Sequence, residues 1–475
     1  MSDRNPRVLI GLSSDIFFRN FVETRAFEAL AERFELFWFV TDAVKRALPL
    51  RPGVTDAGRS SANPWHDRVR YHMRWVAVFA GHRRCKTLAI KRRHSITSRR
   101  ERWPYTLLSL PGIWPVADRA VEAFFGVNRS IERIVEQVQP DVILFPSQGN
   151  DPVALDLLRA AQSRGIATVM LNYNWDNMGS KGPMRFKPER LCVWGEDMAR
   201  LAQQVHELDP EQIKVIGAAQ FEQYVDRAHM ACAESRSQER LPRAPRVLFA
   251  GNSRGHPEAK YLLMLEEAIE AGRLPSMSVI YRPHPWRSPR VDETHFQASS
   301  FRHVEMDPQL ADHFGGELNA ASKKPDRTFA PSMAYNAQLL RSVNGVITPL
   351  STLALEAALV GVPVLGMNCF DDEVFKNALD QFEHLQRVQS IPGVLVCRDE
   401  RRFIEDVGRL LALGADPALP ARMREAVRPI VYSDGGRTTY AERLADVVAE
   451  LLGQPRRTEP AHERTSPVPA LAEDA

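Results

Sequence analysis

Short apolar runs alternate with amphipathic stretches along most of this chain. Arg7-Val8-Leu9-Ile10-Gly11-Leu12 reads as a buried strand, Asn20 to Phe34 has helical periodicity, and Leu36-Phe37-Trp38-Phe39-Val40 is a second strand. After an irregular middle, Ile131 to Val138 is helical and Asp141-Val142-Ile143-Leu144-Phe145 is another buried strand. Val153 to Arg164 is the next helix, closed by Gly165, and Ala167 to Asn172 the next strand. Such alternation argues for an α/β fold, with parallel sheets covered on both faces. The pattern restarts at Arg246-Val247-Leu248-Phe249-Ala250-Gly251, after a polar run from Arg227 to Ala244 that reads as a linker. Two α/β domains are therefore expected, over residues 1–226 and 245–453. The last helix, Thr438 to Leu452, is expected to cross back to the first domain. Residues 454–475, rich in Pro, Ala and charge, read as a disordered tail.

Two segments of the second half carry candidate chemistry. Val343 to Thr348 ends as a buried strand, and Ser351 or Thr352 is a natural N-cap for the apolar helix that Gly361 stops. Free N–H groups at such a helix end make an anion site. Glu356 lies four residues after Thr352, on the same face, and needs a partner if buried. Phosphate on the helix end and ribose hydroxyls on Glu356 would satisfy both; a capped helix whose Glu pairs with an Arg is the alternative. Upstream, the strand Met277 to Tyr281 runs into Arg282-Pro283-His284-Pro285. The prolines forbid helix, so Arg282 and His284 project from a rigid strand end, where ligands of open α/β sheets gather. Arg282 offers a fork for phosphate oxygens, and His284 a proton or hydrogen bond.

These two motifs, in this order, resemble the C-terminal half of GT-B-fold transferases, nearest to the CDP-glycerol glycerophosphotransferase and related surface-polysaccharide glycosyltransferase families. The likeness continues in Asp434-Gly435-Gly436-Arg437, which opens the last helix, and in Val193-Trp194-Gly195 with Ile213 to Phe221. There the family's Gly-x-Pro-x-x-Asp has Ala219 for Pro and Glu222 for Asp. The resemblance implies two Rossmann-like domains around an interdomain cleft, a nucleotide-diphosphate donor and no cofactor or metal.

It also bears on the polar segment Asn172 to Gly182, expected as a loop facing the cleft. Here the family has Trp-His-Gly-x-x-x-Lys, with the His as its base. This chain keeps Trp175 and Lys181 but has Asp176 in place of the His, beside Asn177. A carboxylate can take an acceptor proton, and the exchange favours sugar transfer over glycerophosphate transfer. As an alternative, Asp176 is a turn residue capping the loop. Asp15 after the first strand and Arg254 after the first strand of the second domain occupy similar positions, Arg254 as a phosphate contact. Asp371-Asp372 is not read as a metal site, since Arg, His and a helix end can neutralise a leaving diphosphate.

Composition adds one departure. The chain of 475 residues is 44% hydrophobic and 25% charged with a net charge of +3, ordinary values for a globular protein. Its five scattered cysteines suit reduced thiols, and no apolar run approaches membrane-spanning length, so a cytoplasmic protein is expected. Between Asp67 and Arg102, however, twelve Lys/Arg face two Asp/Glu, within a basic insertion at about 62–115. Trp65, Tyr71, Trp75, Phe79, Trp103, Tyr105 and Trp114 are interleaved with it or follow it. Basic residues with Trp suit an anionic membrane surface, with Arg83, Arg84, Arg92 and Arg93 as expected contacts; a solvated helical insertion whose Arg residues pair elsewhere in the fold is the alternative. No nucleic-acid motif accompanies the charge. The expected activity is transfer of a sugar, or glycerophosphate, from a nucleotide-diphosphate donor to a lipid-linked or surface-glycan acceptor in cell-envelope polysaccharide synthesis, peripheral to the inner face of the plasma membrane. A non-hydrolysing nucleotide-sugar 2-epimerase and a non-catalytic glycan- or membrane-binding protein are the alternatives.

Overall fold

The computed structural model describes residues 4–48, 53–96, 98–225, 244–251, 257–284, 296–297, 300–314, 317–318, 331–369 and 379–453. Arg254, Asp371-Asp372, Cys232, the tail 454–475 and all but the last residue of the expected linker lie outside them.

The first sheet contains β1 (Arg7–Leu12), β2 (Glu35–Thr41), β3 (Val54–Ser60), β4 (Val142–Ser147), β5 (Ala167–Asn172), β6 (Arg190–Val193) and β7 (Ile213–Val215). Their order is β3-β2-β1-β4-β5-β6-β7, all parallel, with Ile10 opposite both Trp38 and Leu144. The second half contains β8 (Arg246–Ala250), β9 (Ser278–Arg282), β10 (Phe296–Gln297), β11 (Val304–Met306), β12 (Glu317–Leu318), β13 (Gly345–Thr348), β14 (Val364–Met367) and β15 (Val394–Cys397). β10 and β12 form a separate antiparallel ribbon; the others form a parallel sheet ordered β11-β9-β8-β13-β14-β15. Both sheets have the doubly wound order in which the strand sequence reverses, beside β1/β4 and beside β8/β13. Crevices beyond the strand ends at these reversals are where such sheets bind ligands.

The final helix, Tyr440–Leu451, does cross back: Tyr440, Leu444 and Val448 pack with Val8, Ile10 and Leu144. Its polar flank is tied down as well, by Arg33 to Asp446 at 2.8 Å and Lys214 to Glu450 at 2.6 Å. The helix leaves from a well-formed cap, with Asp434 accepting from the Arg437 and Thr438 N–H groups and Thr439 and Glu442 closing a capping box.

Two stretches depart from the expected pattern. The stretch Asn20 to Phe34 is not one helix, since Arg25 at φ 61° breaks it into a π-helical turn, Phe18–Val22, and a short helix, Glu28–Ala31. The irregular middle is ordered: β3, then the helices Pro64–Ala80, Lys86–His94, Arg99–Leu108 and Ile113–Phe125. β3 is an edge strand with few apolar residues, which hides it from a hydrophobic pattern. A buried charge network fastens the helical layer to the sheet. Arg70 pairs with Glu122 at 2.7 Å and Asp156 at 2.9 Å, while Arg185 pairs with Glu122 and Asp118.

Candidate active site

Ser351 is the N-cap of the helix Thr352–Val360, accepting from the Leu353 N–H at 3.3 Å, and Gly361 at φ 80° ends the helix in the left-handed region. One turn inside, Glu356 is buried and accepts from the Tyr224 hydroxyl at 2.6 Å. Its hydrogen-bond partner is thus a tyrosine at the end of the first domain, where an Arg was the alternative expected. Burial raises the Glu356 carboxyl above its ordinary range, opposed by that hydroxyl and by the charges of Arg282 and Arg19.

Arg282 closes β9 and is held by its own domain. It donates to Asn336 Oδ1 at 2.5 Å, lies 3.6 Å from Asp307 Oδ2, and stands 6.0 Å over the Tyr335 ring. Tyr335 in turn donates to Asp307 Oδ1 at 2.7 Å, fixing the carboxylate. Among the described residues, the buried Arg282 Nη1 has no hydrogen-bond partner. Two residues on, burial together with Arg19 and Arg282 pushes the His284 imidazole down to about 4, so it is neutral at pH 7.

Arg19 was not singled out from the sequence. It sits in the turn beyond β1, and its charge acts on Glu356, Tyr224 and Arg282. The structure therefore gathers Arg282, His284 and Glu356 with Arg19 and Tyr224 from the first domain. A signal was available, because the turn after the first strand of a doubly wound sheet faces the ligand crevice.

Asp176 belongs to a second group. The segment expected as a loop facing the cleft is largely buried, and Asn177 to Ser180 form one helical turn between the helices Lys86–His94 and Glu196–His206. Its polar groups are largely paired within the fold, as in the bonds Asn172 Nδ2 to Asn174 O at 2.8 Å and Lys91 Nζ to Ser180 O at 2.8 Å. Asp176 Oδ2 takes both the Ser180 hydroxyl at 2.8 Å and Lys181 at 3.5 Å, whereas Oδ1, also buried, has no hydrogen-bond partner among the described residues. Burial works against the Asp176 charge, but Lys181, His384, Ser180 and Lys91 outweigh it and hold the carboxyl below its usual range. The neighbouring Asn177 amide has no partner on either atom among the described residues.

From the second domain, His384 meets the Trp175 ring edge-on at 4.9 Å, and burial pushes its imidazole down to about 4. Trp175 and His384 both line a pocket of about 420 Å³ at the seam of the two domains. Tyr173, one residue beyond β5, stands edge-on to Phe17 at 4.8 Å and lies within the field of Asp176. Asp15 is turned elsewhere, accepting from the Lys45 and Arg46 N–H groups at 3.1 and 3.3 Å.

No protein-family model and no curated protein matches this sequence. Solved structures do. A Listeria monocytogenes protein, provisionally assigned as a UDP-N-acetylglucosamine 2-epimerase, aligns with 95% of this chain and 98% of its own at 12% identity and a TM-score of 0.50. A variant of the wall teichoic acid polymerase TagF soaked with CDPG aligns over 94% of this chain and 89% of its own, at 10% identity and a TM-score of 0.50. With the two parallel sheets, these likenesses show the GT-B fold: two Rossmann-like domains.

Proposed function

We propose that this chain is a transferase that moves a sugar, or glycerophosphate, from a nucleotide-diphosphate donor to a lipid-linked or surface-glycan acceptor at the cytoplasmic face of a membrane. One observation carries most of the reading: Glu356, buried one turn inside a helix that Ser351 caps, is bonded to Tyr224 of the first domain and lies in the field of Arg282 and Arg19 from the two domains. Two cations and a helix N-terminus suit a diphosphate, and a carboxylate one turn further suits ribose hydroxyls. In this reading Arg282, Arg19 and the Ser351–Thr352 helix end neutralise the leaving diphosphate. Neutral His284 donates a hydrogen bond to it, and Glu356 holds the ribose.

Asp176 serves the acceptor, with Trp175, Asn177 and Lys181 placing it. Its Oδ1 takes the acceptor hydroxyl proton as that oxygen bonds to the transferred carbon or phosphorus. The bond from that atom to the diphosphate oxygen breaks, and its electron pair leaves with the nucleotide. Asp15 then acts indirectly, shaping the rim of the cleft. A 2-epimerase would use the same donor group and a base of its own to move the C2 proton, so dependence on an acceptor is what separates the two readings.

The test is product analysis with UDP- and CDP-linked donors, with and without a lipid-linked glycan acceptor. Nucleotide release that depends on the acceptor is expected. Conversion of UDP-N-acetylglucosamine to its C2 epimer without acceptor would sink the transferase reading and support the epimerase.

A further inference from the structure

Among the described residues no helix is long and apolar enough to cross a membrane. Yet of the nine large apolar side chains left exposed there, eight fall between Trp65 and Phe124. Trp103, 66% exposed, and Leu107 are four residues apart on one face of the helix Arg99–Leu108. Val116 and Phe124, 64% and 82% exposed, stand eight apart on the helix Ile113–Phe125. Trp65 opens the helix Pro64–Ala80, where the next residue, His66, stacks on Phe125 at 4.5 Å. These three helices pack on one another, so their exposed side chains belong to one layer. A concentration of this kind marks an interaction surface.

The charges of the same layer are sorted. The acids of its last helix, Asp118 and Glu122, are turned inward onto Arg185 and Arg70. Arg93, Arg99 and Arg100 stay exposed. Two of the arginines expected to meet lipid are instead used by the fold, Arg84 on the Val205 carbonyl at 2.7 Å and Arg92 against His82 at 2.5 Å. What remains outside is Trp, other large apolar groups and positive charge in excess of the exposed Glu101, the complement of an anionic lipid surface.

We infer that this layer docks on an anionic membrane, with Trp65, Trp103, Leu107, Val116 and Phe124 entering the headgroup boundary while Arg93, Arg99 and Arg100 meet lipid phosphates. The inference rests on the proposed transfer reading for its purpose alone. Through Lys91 and Cys85 the same layer holds the Ser180 and Gly179 carbonyls of the Asp176 segment, so docking sets the acceptor side beside the lipid.

The test is flotation of the full chain with vesicles of phosphatidylcholine, alone or mixed with phosphatidylglycerol. Binding to the mixed vesicles is expected, falling steeply from low to physiological salt. The triple variant Trp103→Ser, Val116→Ser, Phe124→Ser should weaken it by roughly tenfold or more, since each side chain contributes buried apolar area. Arg99→Ser with Arg100→Ser should weaken it chiefly at low salt. No binding to the mixed vesicles by the wild-type chain would overturn the inference. So would self-association in sedimentation that the triple variant abolishes while vesicle binding is unchanged. Nucleotide-induced thermal shifts are read on the same variants and report the donor site separately. Vesicle binding without any nucleotide shift would leave docking standing and remove the transfer reading.

Discussion

Arg282→Ala removes a guanidinium that its own domain holds on Asn336 and Asp307, with Nη1 left unpartnered. Charge-assisted hydrogen bonds to phosphate are worth about 1.5–3 kcal/mol, so nucleoside-diphosphate affinity should fall roughly ten- to a hundredfold. Nucleoside affinity, measured by the same calorimetry, should barely change; equal losses for both would make Arg282 a structural residue. Asp176→Asn keeps the shape of the side chain and its bond to Ser180 but removes basicity. Turnover should fall about 10²–10⁴-fold with nucleotide affinity nearly intact, and transfer within a few-fold of wild type would exclude a base at this position. The residues behind the first prediction were legible in the sequence, because strand end, proline pair and N-cap are local signals. Tyr224 and Arg19 were not, since Tyr224 meets Glu356 across 132 residues of chain and Arg19, from the other domain, acts on it only through its charge.

Elements were read most reliably where apolar runs are bounded by caps, as in β13 and the helix Thr352–Val360. Polarity misled in the Asp176 segment. A stretch rich in Asn and Gly looks solvated, but Asn172, Asn174 and Asp176 each bond to another group of the same segment, which lets much of it be buried. The Val193-Trp194-Gly195 motif has its reason in a contact that no local pattern reveals. Backbone from the second half lies against it, with Tyr432 N donating to Trp194 O at 2.7 Å and Asp197 N to Pro429 O at 3.0 Å. A Cβ on Gly195 would come within 2.4 Å of the Pro429 carbonyl oxygen. Gly195→Ala should therefore destabilise the protein by about 1–3 kcal/mol, the usual cost of overpacking. Chemical denaturation would show it as a lower midpoint, and an unchanged midpoint would mean that the 429–432 segment can move away freely.

At the scale of the whole molecule, four histidines are held neutral by burial. His66, His206, His284 and His384 are each pushed down to about 4, well below the ordinary 6.5. The unfolded chain binds protons on these groups at a higher pH than the folded one. Their contribution is thus complete above about pH 6.5 and is lost as pH falls toward 4. Asp156, raised to about 6 by burial against the pull of Arg70, works in the opposite direction and offsets part of the loss. The melting temperature should consequently drop between pH 6.5 and 4.5, and a flat profile across that window would show these imidazoles to be solvated.

The GT-B architecture follows from two doubly wound sheets joined by a returning helix, and the proposed donor group draws Arg19 from the turn beyond β1 and Arg282 from the end of β9, where such sheets bind ligands. A thermal-shift titration with UDP, CDP, UDP-N-acetylglucosamine and CDP-glycerol tests that placement most directly, run on the wild-type chain and on Arg19→Ala with Arg282→Ala. At about 100 times its dissociation constant, a true ligand adds about 2.7 kcal/mol to stability. At least one of these diphosphates should raise the wild-type melting temperature, the matching nucleoside should not, and the double variant should lose the response. An absent response to every diphosphate, or an equal one in the double variant, would contradict a donor site between the two domains.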